Sequence, residues 1–467
     1  MTELSELHEA PAPSHAGLDV GNVDELHEAI TAQDKTRIRE LLDLDLEHPA
    51  ELADRLEQLS HSDRKTLAEL CPDVFSPALL AELEDDVVED VLPLLSSRQI
   101  SRAMEELESD DAVQLFEELS DEAREEVLEE LPEQERREIE ESLSFDEETA
   151  GRLMQREFVA APEFWTVGQT IDHMREQGER GGDNLPEKFF DVYVIDAHFH
   201  PIGYVPLSTL MRSQRGTLLR DLMDTNLTVI TPDMDQEDVA YLFEKYDLIS
   251  APVVDADGRL TGMITVDDMV EVIQEENTED MLALAGVSEA GLVDTVADTV
   301  KARAPWLFVN LLTAMLASSV ISLFQNEISQ LVALAVLMPI VASMGGNTGT
   351  QALTVAIRAL ATRDLTDANT LRVIRREALA AMANGLIFAS ILGTITWLWF
   401  GNPKLAMVIA AALVFNLLCA GLAGILVPLG LKKLGADPAV ASSVFVTTVT
   451  DVVGFFAFLG LAAVFLL

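Results

Sequence analysis

The carboxylate of Asp451 is the only charge in the apolar C-terminal stretch, residues 438–467. A carboxylate in hydrocarbon costs about 2.5–3.5 kcal/mol on insertion scales, so it persists only where it faces protein or water. Ionisable residues inside a membrane mark ion or proton paths by default. The sequence therefore predicts that Asp451 lines a cation pore and that most of the other residues control its opening.

Further polar side chains lie near this carboxylate and on a second apolar stretch. Thr447 and Thr448 precede it by four and three residues, which places them on its side of a helix. Residues 345–351 read Gly-Gly-Asn-Thr-Gly-Thr-Gln, with Asn347 and Gln351 about one helical turn apart. Glycines at this depth either allow close helix packing or open the backbone to a water-lined path. The two polar faces favour a shared aqueous lumen, with interhelical hydrogen bonds as the alternative.

Acidic residues are concentrated just before the apolar half. Residues 267–280 predict a helix with acids four positions apart, and like charges at that spacing destabilise a helix. A divalent cation would neutralise them, so the set favours a cation sensor, although a solvated acidic face remains the alternative for any single residue. The acids on this helix are Glu271, Glu275, Glu276, Glu279 and Asp280, and Asp235, Glu237 and Asp247 flank the preceding helix.

The charge of the chain is divided unequally between its two parts. The first 300 residues hold 74 acidic and 21 basic residues, whereas the last 167 hold 6 and 10. A surface this acidic repels nucleic acid and anionic lipid and attracts cations, and a halophile-type solvated surface is a compatible explanation. Cys71 and Cys419 form neither a disulfide framework nor a zinc spacing. Residues 1–21 lack a signal-peptide pattern and predict a flexible acidic tail.

Two kinds of soluble domain follow the tail. Residues 22–150 predict an all-α acidic superhelical domain, because helix starts recur at Ser109, Ser120 and Pro132. Residues 151–276 change to a strand–turn–strand–helix unit that occurs twice, about 60 residues apart. The unit begins near residue 190 and again near residue 249, and Asp257-Gly258 is a hairpin signal in the second copy.

This duplication resembles a tandem pair of CBS motifs, an α/β module. Residues 262–268 match the family pattern in which a threonine and a later aspartate, here Thr265 and Asp268, meet the phosphate and ribose of a nucleotide. The first copy lacks the aspartate, so the resemblance implies one possible ATP site. The alternative is that both residues only cap the following helix.

The apolar half contains five runs long enough to span a membrane, each needing about 20 residues. Basic residues cluster before the first run, after the second and after the fourth, which predicts a cytoplasmic N-terminus and an external C-terminus in the cell membrane. Residues 277–304 predict an acidic and amphipathic connecting helix, of plug type, that leads into the first run. The predicted spans are residues 305–325, 328–357, 378–403, 405–431 and 438–467.

The order of these parts resembles the MgtE-type magnesium channels. An acidic helical domain, a CBS pair, an acidic connector and an all-α domain of five spans occur there in this order. The matching motifs are Pro-x5-Gly-Gly-Asn-x-Gly-x-Gln (residues 339–351), Ala-Asp-Pro-Ala (436–439) and Thr-Thr-x-x-Asp-x-x-Gly (447–454). The resemblance covers nearly the whole chain.

The resemblance implies a homodimeric, non-enzymatic Mg²⁺ channel for magnesium uptake and homeostasis. Asp451 from both subunits would bind hydrated Mg²⁺, with Thr447 and Asn347 as further pore residues. Cytosolic Mg²⁺ would close the pore by bridging acids of the soluble domains and the connector. The sensing residues implied are Asp235, Glu237, Asp247, Asp268, Glu271, Glu276, Glu279, Asp280 and Asp437, with Asp110 and Asp111 in the helical domain. The alternatives are an ion-coupled divalent-cation carrier with the same aspartate and a membrane-anchored nucleotide sensor.

Overall fold

The protein, seen in a computed structural model, divides into two compact units, residues 1–272 and 273–467. The structure describes residues 20–42, 48–179, 185–186, 188–287, 296–366 and 368–466. The predicted flexible tail lies almost entirely outside the described residues, as do residues 288–295 of the predicted connector.

The first unit opens with short helices around one continuous apolar core that extends from Leu26 to Ile139. Ser120 begins α9 as predicted, because its hydroxyl accepts the amide proton of Ala123. Ser109 is not a cap, since it is already the first residue of α8. The helices are α1 Val20–Thr31, α2 Lys35–Leu42, α3 Pro49–Glu57, α4 His61–Leu70, α5 Pro77–Leu80, α6 Asp85–Val91, α7 Ser97–Glu106, α8 Ser109–Glu117, α9 Asp121–Glu130, α10 Glu133–Ser142 and α11 Ala150–Leu153.

The duplicated unit follows within the same compact body as far as residue 272, inside its last helix. β2 pairs with β1 in parallel and with β3 antiparallel, and β4 pairs antiparallel with β5. Both predicted hairpins are confirmed, and Gly258 adopts the positive φ of +80° that its turn requires. The elements are β1 Ala160–Pro162, α12 Val167–Glu179, β2 Asp191–Ile195, β3 Pro201–Pro206, α13 Leu207–Arg212, α14 Gln236–Tyr246, β4 Ser250–Val254, β5 Leu260–Thr265 and α15 Val266–Ala285.

The predicted connecting helix over residues 277–304 is not a single element. Its first part is the end of α15, which stops before Gly286, where a φ of +69° interrupts the helix. Its last part belongs to the next helix, which begins at Val296 and continues through Pro305. The predicted first span begins at residue 305, whereas the helix begins at Val296; inside it, Pro305 lacks one amide hydrogen bond and its ring crowds the preceding turn.

The second unit contains long apolar helices. In the part of the chain that the structure describes, four segments are long and apolar enough to cross a membrane, namely Thr299–Ser322, Thr370–Phe400, Pro403–Lys433 and Ser443–Phe465. α18 is 29 residues long but is not among them, because residues 345–351 lower its hydropathy. The helices are α16 Val296–Ser322, α17 Gln325–Gln330, α18 Ala333–Ala361, α19 Thr370–Phe400, α20 Pro403–Lys433 and α21 Pro438–Phe465.

Candidate cation-binding sites

The candidate pore residues lie on two packed helices of the second unit. On α21, the Thr447 hydroxyl donates to the Ser443 carbonyl oxygen at 3.0 Å, and the Thr448 hydroxyl donates to the Val444 carbonyl oxygen at 2.6 Å. Because both protons are used inside the helix, the hydroxyl lone pairs remain for a cation or its water. Asp451 is half-buried one turn later, and Asn347 is exposed on α18.

The glycines of α18 serve close packing, one of the two roles considered from sequence, because the helix is continuous through them. A Cβ at Gly349 would lie 2.5 Å from the Val446 side chain of α21. Sequence reasoning missed a third participant, Asn416 of α20, which is fully buried between Gly345 and Gly454. An asparagine in an otherwise apolar stretch was the available signal.

A first acidic cluster joins the two soluble parts of the first unit. Burial raises the pKa of Asp111 on α8 to about 7, and the charge of Asp268 on α15 is the second cause. Burial and then the same charge raise the pKa of Asp110 well above its ordinary value. Asp268 itself has a pKa raised by burial to about 6, despite hydrogen bonds from Thr265 that lower it. The structure thus brings together residues that are more than 150 positions apart.

The same cluster extends along α15 toward α6. Desolvation raises the pKa of Glu271, and the charges of Asp85 and Glu82 raise it further. A cavity of about 10 Å³, room for roughly one water, borders Asp85 and Asp111. Asp110, Asp111 and Asp268 are half-buried, whereas Asp85 and Glu271 are exposed, so mutual repulsion is strongest among the first three.

Neutral and charged contacts hold α8 in place beside this cluster. The Ser109 hydroxyl donates to Glu157 Oε2 at 2.8 Å and accepts the amide proton of Arg156 at 2.7 Å. Nearby, Arg152 pairs with Glu117, the last residue of α8. These contacts fix the start and the end of the helix that carries Asp110 and Asp111.

A second acidic group lies in the second unit. Burial raises the pKa of Asp280 to about 6, with the charges of Asp437 and Glu276 as further causes. Asp437 caps α21 by accepting the Ala439 amide proton at 2.8 Å. Glu279 is exposed on α15. The Ala-Asp-Pro-Ala motif at residues 436–439 therefore lies near the acids at the end of α15.

The remaining candidate acids do not form one group. Asp235 caps the first turn of α14 and Glu237 lies in that turn, whereas Asp247 follows its last residue with a φ of +51°. Because α14 has 11 residues, its ends are about 16 Å apart. Within the described ranges, no three His, Cys, Asp or Glu side chains lie close enough to hold a metal ion directly.

The CBS part contains a cavity of about 630 Å³, large enough for a small organic ligand. Its wall includes the Tyr193 hydroxyl, which donates to Ser250, and the Ser250 hydroxyl, which donates to Asp191, at 2.9 and 2.8 Å. Thr265 and Asp268, the sequence candidates for nucleotide binding, do not line it. Instead, the Thr265 amide donates to Asp268 Oδ2 at 3.2 Å, which caps α15.

Comparison with known proteins identifies the family. The family described as "Divalent cation transporter" matches residues 338–461, the MgtE intracellular N domain matches 47–148 and the CBS domain matches 219–275. Magnesium transporter MgtE of Bacillus subtilis is 32% identical over 389 residues, 83% of this chain and 85% of the relative. The Thermus thermophilus relative of the same name is 35% identical over 325 residues, 69% and 71% of the two chains. The chain belongs to the MgtE family.

Membership of the MgtE family confirms the resemblance drawn from sequence and the multidomain fold class. It makes the chain a member of a magnesium transporter family, not an enzyme. A solved structure described as the cytosolic domain of the Mg²⁺ channel MgtE in complex with ATP is 28% identical and covers 54% of this chain and 99% of that chain, with a TM-score of 0.47.

Proposed function

We propose that this chain is a Mg²⁺-selective channel for magnesium uptake that closes when cytosolic Mg²⁺ binds its acidic residues. The observation that carries the proposal is the electrostatic effect of Asp268 on both Asp110 and Asp111, which raises the pKa of each. Without a cation, ionised carboxylates in this partly buried space repel one another and drive α8 away from α15. A divalent cation removes that penalty.

The ligand chemistry of the cluster fits Mg²⁺. Mg²⁺ prefers oxygen ligands, releases its water reluctantly and binds through one or two carboxylates with several waters retained. The carboxylates need not converge on one point, because bound water completes the coordination. Binding biases a two-state equilibrium toward the closed form only if the cluster is assembled in that form. The group of Glu276, Asp280 and Asp437 is a second place for the same effect.

The test is Mg²⁺ inhibition of flux through the full chain in liposomes. Asp111→Asn with Asp268→Asn removes two charges from the cluster, and we expect the inhibitory Mg²⁺ concentration to rise about 5- to 150-fold. Glu122→Gln with Glu129→Gln is the matched control, since both acids are exposed on α9. Equal inhibition of the two double variants would refute the sensor.

For the pore, we propose that Asp451 of two subunits holds hydrated Mg²⁺, with Thr447 and Asn347 contributing oxygen ligands to its water shell. Five spans, including α18, then place the soluble part in the cytoplasm. Selectivity would depend on a site sized to the hydrated ion. Single-channel currents distinguish this channel from an ion-coupled carrier, which would give saturable flux without unitary currents.

We also propose that the CBS cavity binds ATP. The volume, the aromatic side chains of Tyr193 and Tyr204 and the polar groups of Asp191 and Ser250 suit a nucleoside. Ser208→Trp would fill the cavity and abolish binding of ATP, measured by calorimetry on the full chain, whereas Thr265→Ala should retain it. If Thr265→Ala abolishes ATP binding and Ser208→Trp retains it, ATP binds at Thr265 and Asp268, the site expected from sequence.

A further inference from the structure

Asn416 is a fully buried amide in the apolar interior of the second unit. Its Nδ2 donates to the Val341 carbonyl oxygen of α18 at 2.9 Å. Among the described residues, its Oδ1 has no hydrogen-bond partner. A buried polar group without a partner lowers the stability of the folded state. If position 416 served packing alone, an apolar residue such as leucine or alanine would avoid this loss of stability.

Two glycines on different helices make room for this amide. A Cβ at Gly345 of α18 would lie well inside van der Waals contact with Nδ2. A Cβ at Gly454 of α21 would lie 2.7 Å from Nδ2 and 3.0 Å from Oδ1. The amide cannot swing aside, because it has no exposed surface and is bonded to Val341. Asn416 therefore sets how closely α18 and α21 approach each other.

The two glycines are near the candidate pore residues in sequence. Gly345 precedes Asn347 by two residues, and Gly454 follows Asp451 by three residues, within one helical turn. A change in the separation of α18 and α21 at this level moves both polar groups.

We propose that Asn416 is a positioning residue for ion permeation, which fixes the separation of the helices that carry Asn347 and Asp451. The proposal rests on the proposed role of Asp451 in the pore. Asn416 touches no ion in this role and acts through the two helices that it contacts.

The first test compares two neighbouring glycines. Gly345→Ala forces a methyl group against the amide, and we expect Mg²⁺ flux per folded protein to fall about tenfold, since overpacking displaces the backbone. Gly346→Ala is the matched control, because nothing lies within 4 Å of a Cβ there. Combining Gly345→Ala with Asn416→Ala frees the space and should restore flux to the level of Asn416→Ala alone. Equal flux in the two single glycine variants overturns the proposal.

The second test separates positioning from packing and does not require Gly345→Ala to fold. Asn416→Ala leaves space and removes an unpaired oxygen, so we expect folded protein with an altered KM for Mg²⁺ and a reduced preference for Mg²⁺ over Ca²⁺. An unchanged KM and preference overturn the proposal, because a packing role alone changes only the amount of folded protein. Asp451→Asn is measured in parallel, and if it retains full flux, the pore assignment fails whatever Asn416 does.

Discussion

At the scale of single residues, the carboxylate of Asp451 is the group on which the pore proposal depends. Asp451 follows two threonines whose protons are committed to backbone carbonyl oxygens. Their oxygens and the carboxylate therefore present acceptors on one side of α21, which attracts cations and repels anions. Charge, and not hydrogen bonding alone, is the property that the pore proposal requires of residue 451.

Exchanging the charge at residue 451 tests that requirement. We expect Asp451→Asn, which keeps the shape and loses the charge, to lower Mg²⁺ flux at least about 100-fold. Asp451→Glu keeps the charge and should retain measurable flux. Isotope uptake into liposomes, normalised to protein, gives the comparison, and an active Asp451→Asn variant would contradict the pore assignment.

Ser109 illustrates how a local residue supports a distant site. Its hydroxyl donates to the Glu157 carboxylate and accepts the amide proton of Arg156, so Ser109→Ala removes both hydrogen bonds. We expect a loss of about 1–3 kcal/mol of unfolding free energy, measured by denaturant unfolding of the purified chain. Ser97→Ala is the control, since that hydroxyl donates to Glu126 at the surface. Equal losses in the two variants would remove the special role of Ser109.

At the scale of elements, α8 of the helical part and the start of α15 in the CBS part carry carboxylates that affect each other electrostatically. Burial raises the pKa of Asp111 to about 7 and that of Asp268 to about 6. An acid with a raised pKa in the folded state favours folding while it is protonated, and this contribution is lost as the pH rises through the folded value.

Removal of divalent cations should reveal this pH dependence. With a chelator present, we expect the Tm of the full chain to fall as the pH rises from about 5 to about 8, because the cluster becomes ionised. Added Mg²⁺ should restore the Tm, and more strongly at the higher pH. The Asp111→Asn and Asp268→Asn double variant should show a flatter profile, and a wild-type profile in that variant would contradict the cluster's role.

At the scale of the whole molecule, the crossing of α18 decides the topology. If α18 spans the membrane, the arginines at the end of α18 and the start of α19 and the basic end of α20 face the cytoplasm. If it does not, both face outside, against the distribution of basic residues in membrane proteins. The polar stretch within α18 reduces its hydropathy, and packing against α20 and α21 supplies the apolar contacts that lipid would otherwise give.

Cysteine labelling of intact cells tests the topology. With Cys71 and Cys419 replaced by serine, we expect a cysteine at Asn402 to react with an impermeant reagent and one at Asp364 to remain unlabelled. Asn402 lies in the loop between α19 and α20, and Asp364 lies in the loop between α18 and α19. The reverse pattern would mean four spans, with α18 not crossing.

The sequence by itself determined the order of domains, both CBS hairpins and the main apolar helices. Those features depend on short-range periodicity, turn residues and charge, which neighbouring residues carry. It also singled out Asp451, because a lone charge in an apolar run is visible without any contact. Asp110, by contrast, was chosen from sequence without a partner that explained it.

Only the tertiary structure decided which acids meet and what the glycines are for. Asp110 approaches Asp268, and Asn416 separates Gly345 from Gly454, through contacts between residues far apart in the chain. Which residues meet depends on the faces that two packed helices turn toward each other and on their relative position along the helix axes. The pattern of residues along the chain contains neither of these.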